Sequence, residues 1–247
     1  MDTPTANQSV DWLIQGVLET GSTNADLLEQ AESGAANGTV LRADFQTAGR
    51  GRLGRDWQAP PGANLLVSLL FRVVPEHVHA LTQIVALAAS RAATRTTGVQ
   101  SELKWPNDLL VGNKKLAGVL AQSGGRVVDS VPEYVVVGIG MNVAWSPQDA
   151  TSLRESGWTT EISPQELLVQ MLKDLDILLA MSGEQQHEEY KKALGTIGQR
   201  VRVDLPDGSV MVGEAVDVQR DGRLVVRDDN AVSHCIDTAD VIHLRLA

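Results

Sequence analysis

Between Gln46 and Trp57 three glycines, Gly49, Gly51 and Gly54, alternate with three arginines, Arg50, Arg52 and Arg55. Glycine lets a backbone take positive φ and approach a ligand closely, and the guanidinium is a planar, permanently charged donor matched to carboxylate or phosphate. In a chain of formal net charge -10, such a local excess of arginine points to a bound anion, although the same composition suits a solvated surface loop. A second cluster is Lys104-Trp105-Pro106-Asn107-Asp108, followed after a Gly112-Asn113 turn by Lys115-Leu116-Ala117-Gly118. An ammonium is a compact point charge suited to a phosphate or carboxylate oxygen, yet a single lysine beside a turn is most often simply solvated. Gly138-Ile139-Gly140-Met141-Asn142 carries a Gly-x-Gly that is weak evidence for a nucleotide site and equally marks close strand packing. Ser22, Thr23 and Asn24 are small polar residues just before a helix-forming run, where a capping hydroxyl is the commoner role.

The elements that would carry these residues are legible from periodicity and punctuation. Ala25 to Ala31 is helix-forming and ends near Gly34, with Ser22 or Thr23 as cap and Asp26 completing an approximate capping box. A capped helix start also directs backbone N–H groups at whatever precedes it, so cap and binding site are compatible. Thr39 to Phe45 reads as a strand, and the nearly continuous apolar run Asn64 to Val73 as a buried one, so the arginine loop joins two core strands. Val78 to Thr97 has helical apolar spacing and stops at Gly98. Leu109 to Val111 and Leu116 to Leu120 flank the Gly112-Asn113 hairpin signal, which puts Lys115 at the start of the returning strand. Glu133 to Val143 reads as a buried strand, Ser163 opens a helix running to Met181, and Glu184 to Leu194 reads as another. From about Ile197 the texture changes to short runs at Arg200 to Leu205, Val210 to Val218, Leu224 to Arg227 and Val241 to Leu244, which suggests a small β-barrel. Residues 1 to about 18 read as a short lead-in.

Composition narrows the function classes. The chain of 247 residues is 43% hydrophobic and 21% charged, enough for one large or two unequal domains. Its acidic balance and 4% aromatic content argue against a nucleic-acid-binding protein that uses the Arg/Gly loop. One cysteine, Cys235, excludes an internal disulfide or a cysteine metal cluster and suits a reducing compartment. No secretory signal and no apolar run of transmembrane length are visible, so a cytoplasmic protein without membrane association is expected.

Taken in order, Ser22-Thr23-Asn24, Gln46 with Gly49-Arg50-Gly51-Arg52 and Trp57, Lys104-Trp105-Pro106-Asn107-Asp108, Lys115-Leu116-Ala117-Gly118 and Gly138-Ile139-Gly140-Met141-Asn142 resemble the biotin protein ligases, and the likeness covers nearly the whole chain. The resemblance implies an α+β fold, with a mixed β-sheet and flanking helices related to class II aminoacyl-tRNA synthetases, followed by a small SH3-like β-barrel. A division into residues 1–196 and 197–247 agrees with the change of texture. It implies two steps: biotin and MgATP give biotinyl-5′-adenylate and pyrophosphate, then a lysine of a biotin carboxyl carrier domain takes the biotin and AMP leaves.

By that resemblance Ser22, Thr23 and Gln46 hydrogen-bond the biotin head group, beside Asn24. Arg50, Gly51 and Arg52 cover the carboxylate and phosphates, and Lys115 sits against carboxylate and α-phosphate. Lys115, Arg50 and Arg52 are thus the expected catalytic charges. Lys104 and Asn107 belong near the same anions, Asn142 near the nucleotide, and Trp158 on the adenine or in plain packing. Gly49, Trp57 and Gly118 complete the ligand set, with no metal held by the protein itself. The arginine loop is expected to be mobile when empty and ordered over adenylate. Two residues depart from the family pattern: Gln122 stands where many members have an acidic residue, and Met141 where isoleucine is common. Residues 1 to about 18 are too few for a helix-turn-helix domain, so a monofunctional ligase is expected, and the resemblance allows a homodimer through the sheet. The rivals are a lipoate ligase, which shares the adenylating chemistry, and an octanoyl transferase, whose nucleophilic cysteine Cys235 cannot supply if it lies in the terminal domain.

Overall fold

The computed structural model describes residues 10–75, 77–129, 131–205, 207–237 and 240–243. Seven strands form the main sheet: β1 (Leu13–Thr20), β2 (Thr39–Gln46), β3 (Leu65–Phe71), β4 (Glu102–Lys104), β5 (Asp108–Val111), β6 (Lys114–Val128) and β7 (Val131–Met141). Their order is β1-β2-β3-β7-β6-β5-β4. Only β1 and β2 pair in parallel, and helix α1 (Thr23–Glu32) connects them. All other neighbours are antiparallel, so the sheet is mixed, as expected.

Side chains alternate across a strand, and the two faces of β3 and β7 differ. One face presents Leu65, Val67, Leu69 and Phe71 with Val135, Val137, Ile139 and Met141, all buried in the main core with α2 (His79–Thr97) and α3 (Pro164–Leu179). Gly98 ends α2 in the left-handed region at φ 76, the conformation glycine takes without a Cβ clash. Ser163 and Glu166 close the expected capping box of α3, and the Ser163 hydroxyl bonded to Glu166 holds that carboxyl below its usual range. The opposite face is covered at one end only, where Leu27 and Ala31 of α1 meet Leu41, Leu70, Tyr134 and Val136. Arg72, just past β3, ties down the end of α1 by donating to the carbonyls of Ala31 and Ala35.

After α4 (Gly183–Ala193) come β8 (Arg200–Asp204), β9 (Val210–Val218), β10 (Leu224–Arg227), β11 (Ser233–Ile236) and β12 (Asp240–His243). They form an antiparallel SH3-like sheet in the order β11-β10-β9-β8-β12. Its apolar residues Val201, Val203, Ala215, Leu224 and Val226 join the same core cluster as the main sheet. Trp105 crosses the junction: its Nε1 donates to the Gly222 carbonyl at 2.8 Å and its backbone N–H to Thr196 Oγ1 at 2.9 Å.

Three expectations need correction. The segment read as a lead-in contains β1, whose Leu13, Ile14 and Leu18 are exposed; pairing with β2, not burial, makes it a strand. Residues 1–9 of that segment lie outside the described residues. β11 was not anticipated, and the last strand is Asp240–His243, Leu244 lying outside the described residues. Ser22 is the N-cap of α1 but makes no side-chain cap hydrogen bond, and Asp26 accepts from the Thr20 hydroxyl instead of closing a capping box.

Candidate functional site

Beyond α1 the second face of the sheet is open and forms the floor of a cleft of about 580 Å³. Three glycines make that floor: Gly118 lies opposite Gly140, and Gly138 lies between Ser68 and Leu120. Space explains each of them. A Cβ at Gly138 would fall 2.1 Å from Asn24 Oδ1, and one at Gly140 would fall 2.4 Å from Trp57 Cε2. A Cβ at Gly118 would fall 3.1 Å from Lys115 Nζ. Side chains from α1, the arginine loop and β6 therefore lie directly on strand backbone.

One end of the cleft is polar without net charge. Gln46 Oε1, at the end of β2, accepts from the Thr23 backbone N–H at 2.7 Å and its hydroxyl at 2.9 Å. The Ser68 hydroxyl lies 2.7 Å from Thr23 Oγ1 and 2.6 Å from Asn24 Oδ1, so its single proton serves one at a time. Asn24 Nδ2 donates to the Leu120 carbonyl and, at 2.8 Å, to Gln122 Oε1. Gln122 here supplies the acceptor oxygen that a carboxylate would supply, which accounts for its tolerance at this position. Met141 is fully buried on the opposite face and has only an apolar role. Ser22 lines the cleft too. The sequence missed Ser68, because one hydroxyl inside the apolar run Leu65–Phe71 gives no signal until β3 is placed against α1.

The other end gathers cations. The arginine loop folds back on itself: Gly51 N–H donates to the Arg55 carbonyl, Trp57 N–H to that of Gly49, and Arg50 bridges Asp56. Leu53 and Gly54 turn its tip at φ 55 and φ 72. The Arg50–Asp56 ion pair is 3.0 Å long with both side chains more than half exposed, so it contributes under about 1 kcal/mol. Arg52 reaches inward and donates to Asn107 Oδ1 at 3.2 Å, bringing together two residues singled out 55 positions apart. Lys115 Nζ lies 2.7 Å from Asp108 Oδ1 across the β5–β6 hairpin and 5.6 Å from the centre of the Trp57 ring. Lys104 lines the same cleft. Gly49 is not on the lining; it is buried where a Cβ would strike the Trp57 carbonyl at 2.6 Å.

The side wall follows β7. The Asn142 carboxamide accepts from Asn64 Nδ2 at 3.1 Å and donates to the Thr151 carbonyl at 3.0 Å. Thr151 N–H in turn donates to the Lys115 carbonyl at 2.9 Å. Asn142, Pro147 and Ala150 of this segment face the cleft. Trp158 stands apart from the lining, packed against the core with Arg154 5.3 Å above its ring. Asp204 and Val241 of the small sheet also reach the lining, and no sequence pattern marked them.

The family model for the biotin/lipoate A/B protein ligase family matches residues 19–142, and that for the biotin protein ligase C terminal domain matches residues 196–244. The chain is 38% identical over 244 residues to the biotin–[acetyl-CoA-carboxylase] ligase of Mycobacterium tuberculosis, covering 93% of this chain and 88% of that one. Among solved structures it is similar to the biotin protein ligase of Aquifex aeolicus in complex with biotin and ATP, with TM-score 0.78 and 26% identity over 94% of this chain and 99% of that one. It is also similar to the Leishmania major biotin protein ligase in complex with biotinyl-5-AMP, with TM-score 0.66 and 25% identity over 92% and 99% of the chains. With motifs, fold and glycine-floored cleft in agreement, the chain belongs to the biotin/lipoate A/B protein ligase family.

Proposed function

We propose that the cleft carries out both half-reactions of an ATP-dependent biotin protein ligase. The biotin carboxylate attacks the α-phosphorus of ATP, the bond to the β-phosphate oxygen breaks, and pyrophosphate leaves biotinyl-5′-adenylate behind. The ε-amine of a lysine on a biotin carboxyl carrier domain then attacks the acyl carbon, giving up a proton as AMP departs. The observation that carries this reading is the polarity of the cleft. Thr23, Asn24 and Gln46 give a neutral donor–acceptor end fit for a ureido ring, while Arg50, Arg52 and Lys115 give a cationic end fit for the anions.

The role of each residue follows from its place. Two anions must approach while charge builds on the phosphoryl oxygens, and fixed cations meet that need without a protein nucleophile. Lys115 on rigid β6 is assigned to the reacting carboxylate and α-phosphate, and Arg52, steadied by Asn107, to the phosphates. Arg50, on the outer loop, acts as part of a lid that keeps water off the mixed anhydride. Magnesium enters as part of the substrate MgATP. An ion of this kind is commonly held chiefly by phosphate oxygens and water. Trp57 lies flat on the floor beside Lys115 and is assigned to the nucleotide.

The acceptor is the carrier domain of a biotin-dependent carboxylase. The catalytic unit is residues 1–196 and the SH3-like unit 197–247. A cytoplasmic setting without nucleic-acid partners suits the acidic chain; among the described residues no helix is long and apolar enough to cross a membrane. A homodimer would associate through the main sheet.

Pyrophosphate release from ATP, measured with biotin, lipoate and octanoate, tests the reading. Release with biotin alone is expected, lost in Lys115→Ala. Release with lipoate and not biotin would overturn the substrate, and no release with any acid would overturn the chemistry.

A further inference from the structure

Asn64 stands just before β3, is 2% exposed, and matches none of the motifs that marked the site. Its carboxamide is engaged at both ends. Oδ1 accepts from the backbone N–H groups of Val143 and Trp145 at 3.0 and 3.3 Å, and Nδ2 donates to Asn142 Oδ1 at 3.1 Å. Asn142 passes the tie onward to the Thr151 carbonyl at 3.0 Å. One buried side chain thus holds the departure of the segment 143–151 directly and its return through a single relay. Backbone bonds reinforce both ends: Ala144 N–H to the Ala63 carbonyl, Leu153 N–H to that of Asn142, and Thr151 N–H to that of Lys115, each 2.9 to 3.0 Å.

This arrangement bears on the cleft because Pro147 and Ala150 of the same segment line it, and because the return strand pairs with Lys115 itself. Asn142 lines the cleft but is 1% exposed, with its carbonyl oxygen and amide both bonded to protein. A buried amide so committed acts by fixing backbone, since leaving either partner unpaired costs the full desolvation of that group.

We propose that Asn64 is a positioning residue for the nucleotide: the Asn64–Asn142–Thr151 relay sets the wall formed by residues 142–151 and the register of that wall against Lys115. The proposal rests on the biotin-adenylation reading. Asn64 touches neither substrate; it acts through Asn142 and the loop, and the polar end of the cleft at Thr23, Asn24 and Gln46 does not depend on it.

The test is Asn64→Asp, which keeps an acceptor for the Val143 and Trp145 amides and removes the donor to Asn142. Biotin-dependent ATP–pyrophosphate exchange should show KM for ATP raised about tenfold, with KM for biotin within about twofold of wild type. Asn142→Asp, which keeps the acceptor toward Asn64 and removes the donor to Thr151, should give the same split, and the double variant less than the product of the two. Equal changes in both KM values, or no change in either, would overturn the proposal. If Asn64→Asp does not fold, the Asn142→Asp split decides alone, together with hydrogen exchange of the unmodified protein. There residues 143–151 should exchange more slowly than residues 50–55, and equal rates would overturn the proposal. Wild-type exchange activity separates the two levels: a wild type inactive with biotin defeats the ligase reading, whereas an active wild type with an unaffected Asn64→Asp defeats only this inference.

Discussion

The two faces of β3 and β7 belong to the same residues read one position apart, yet they have opposite tasks. On one face Leu65, Val67, Leu69, Val137, Ile139 and Met141 are buried beneath the helices. On the other, Ser68, Gly138 and Gly140 have almost no side chain, and the volume left is taken by Asn24, Trp57 and the cleft. The larger buried cluster lies on the first face and the cleft on the second.

Substitutions on the two faces should therefore fail in different ways. The largest effect is expected from Gly138→Ala, whose added carbon would lie 2.1 Å from Asn24 Oδ1; biotin-dependent pyrophosphate release should fall at least about a hundredfold as the polar end is displaced. Its neighbour on the covered face, Ile139→Ala, should instead lose about 2–5 kcal/mol in denaturant unfolding, while both KM values stay near wild type. Full activity in the first variant, or a selective loss of ATP binding in the second, would break the comparison. Lys115→Ala comes next, with kcat down about 10²–10³-fold and little change in stability. A loss confined to KM for biotin would remove Lys115 from the reacting phosphate.

The arginine loop sharpens the contrast between inner and outer charges. Arg52→Ala should cost more in kcat/KM than Arg50→Ala, because Arg52 is held by Asn107 inside the cleft whereas Arg50 is paired with exposed Asp56. The reverse order would move the seat of the anion to the rim. The smallest effect concerns pH and lies far from the cleft. Burial, with help from the nearby Lys191 charge, lowers the His187 pKa below the ordinary histidine value of about 6.5, against opposing pulls from Glu188 and Asp217. The folded state thus binds its proton less well than the unfolded one. Stability from this group is complete above about pH 6.5 and declines as pH falls toward the folded value. A Tm that falls slightly less over that range in His187→Gln than in wild type is the expected result; identical profiles would remove His187 from the account.

Much of the site was legible because its chemistry requires uncommon residue types. Arg50, Arg52, Lys104, Asn107, Lys115 and the floor glycines came from four separated stretches, and the fold brings them to one cleft. What the sequence hid are groups whose importance lies in a partner. Ser68 looks like an ordinary polar interruption of an apolar strand, and Asn64 like an ordinary polar residue at its start, until Asn24 and Asn142 are set against them. Asp204 and Val241 reach the cleft only through docking of the second sheet. β1 escaped notice for the opposite reason: exposed Leu13, Ile14 and Leu18 break the in-and-out alternation on which strand reading depends. The cap at Ser22 failed because N-cap preference describes a position, while the hydrogen bond depends on the rotamer the surroundings favour.

Lys115 performs two mechanical duties with one backbone position. Its carbonyl anchors the return of the wall at Thr151, and its ammonium lies over Trp57 at the cationic end. Any insertion or deletion between Asn142 and Thr151 will therefore be transmitted as a displacement of charge as well as a change of shape. Engineers seeking to enlarge the proposed nucleotide side for bulkier analogues should expect to retune both together. Altering the side chains of Pro147 or Ala150 at constant length is the change least coupled to the ammonium.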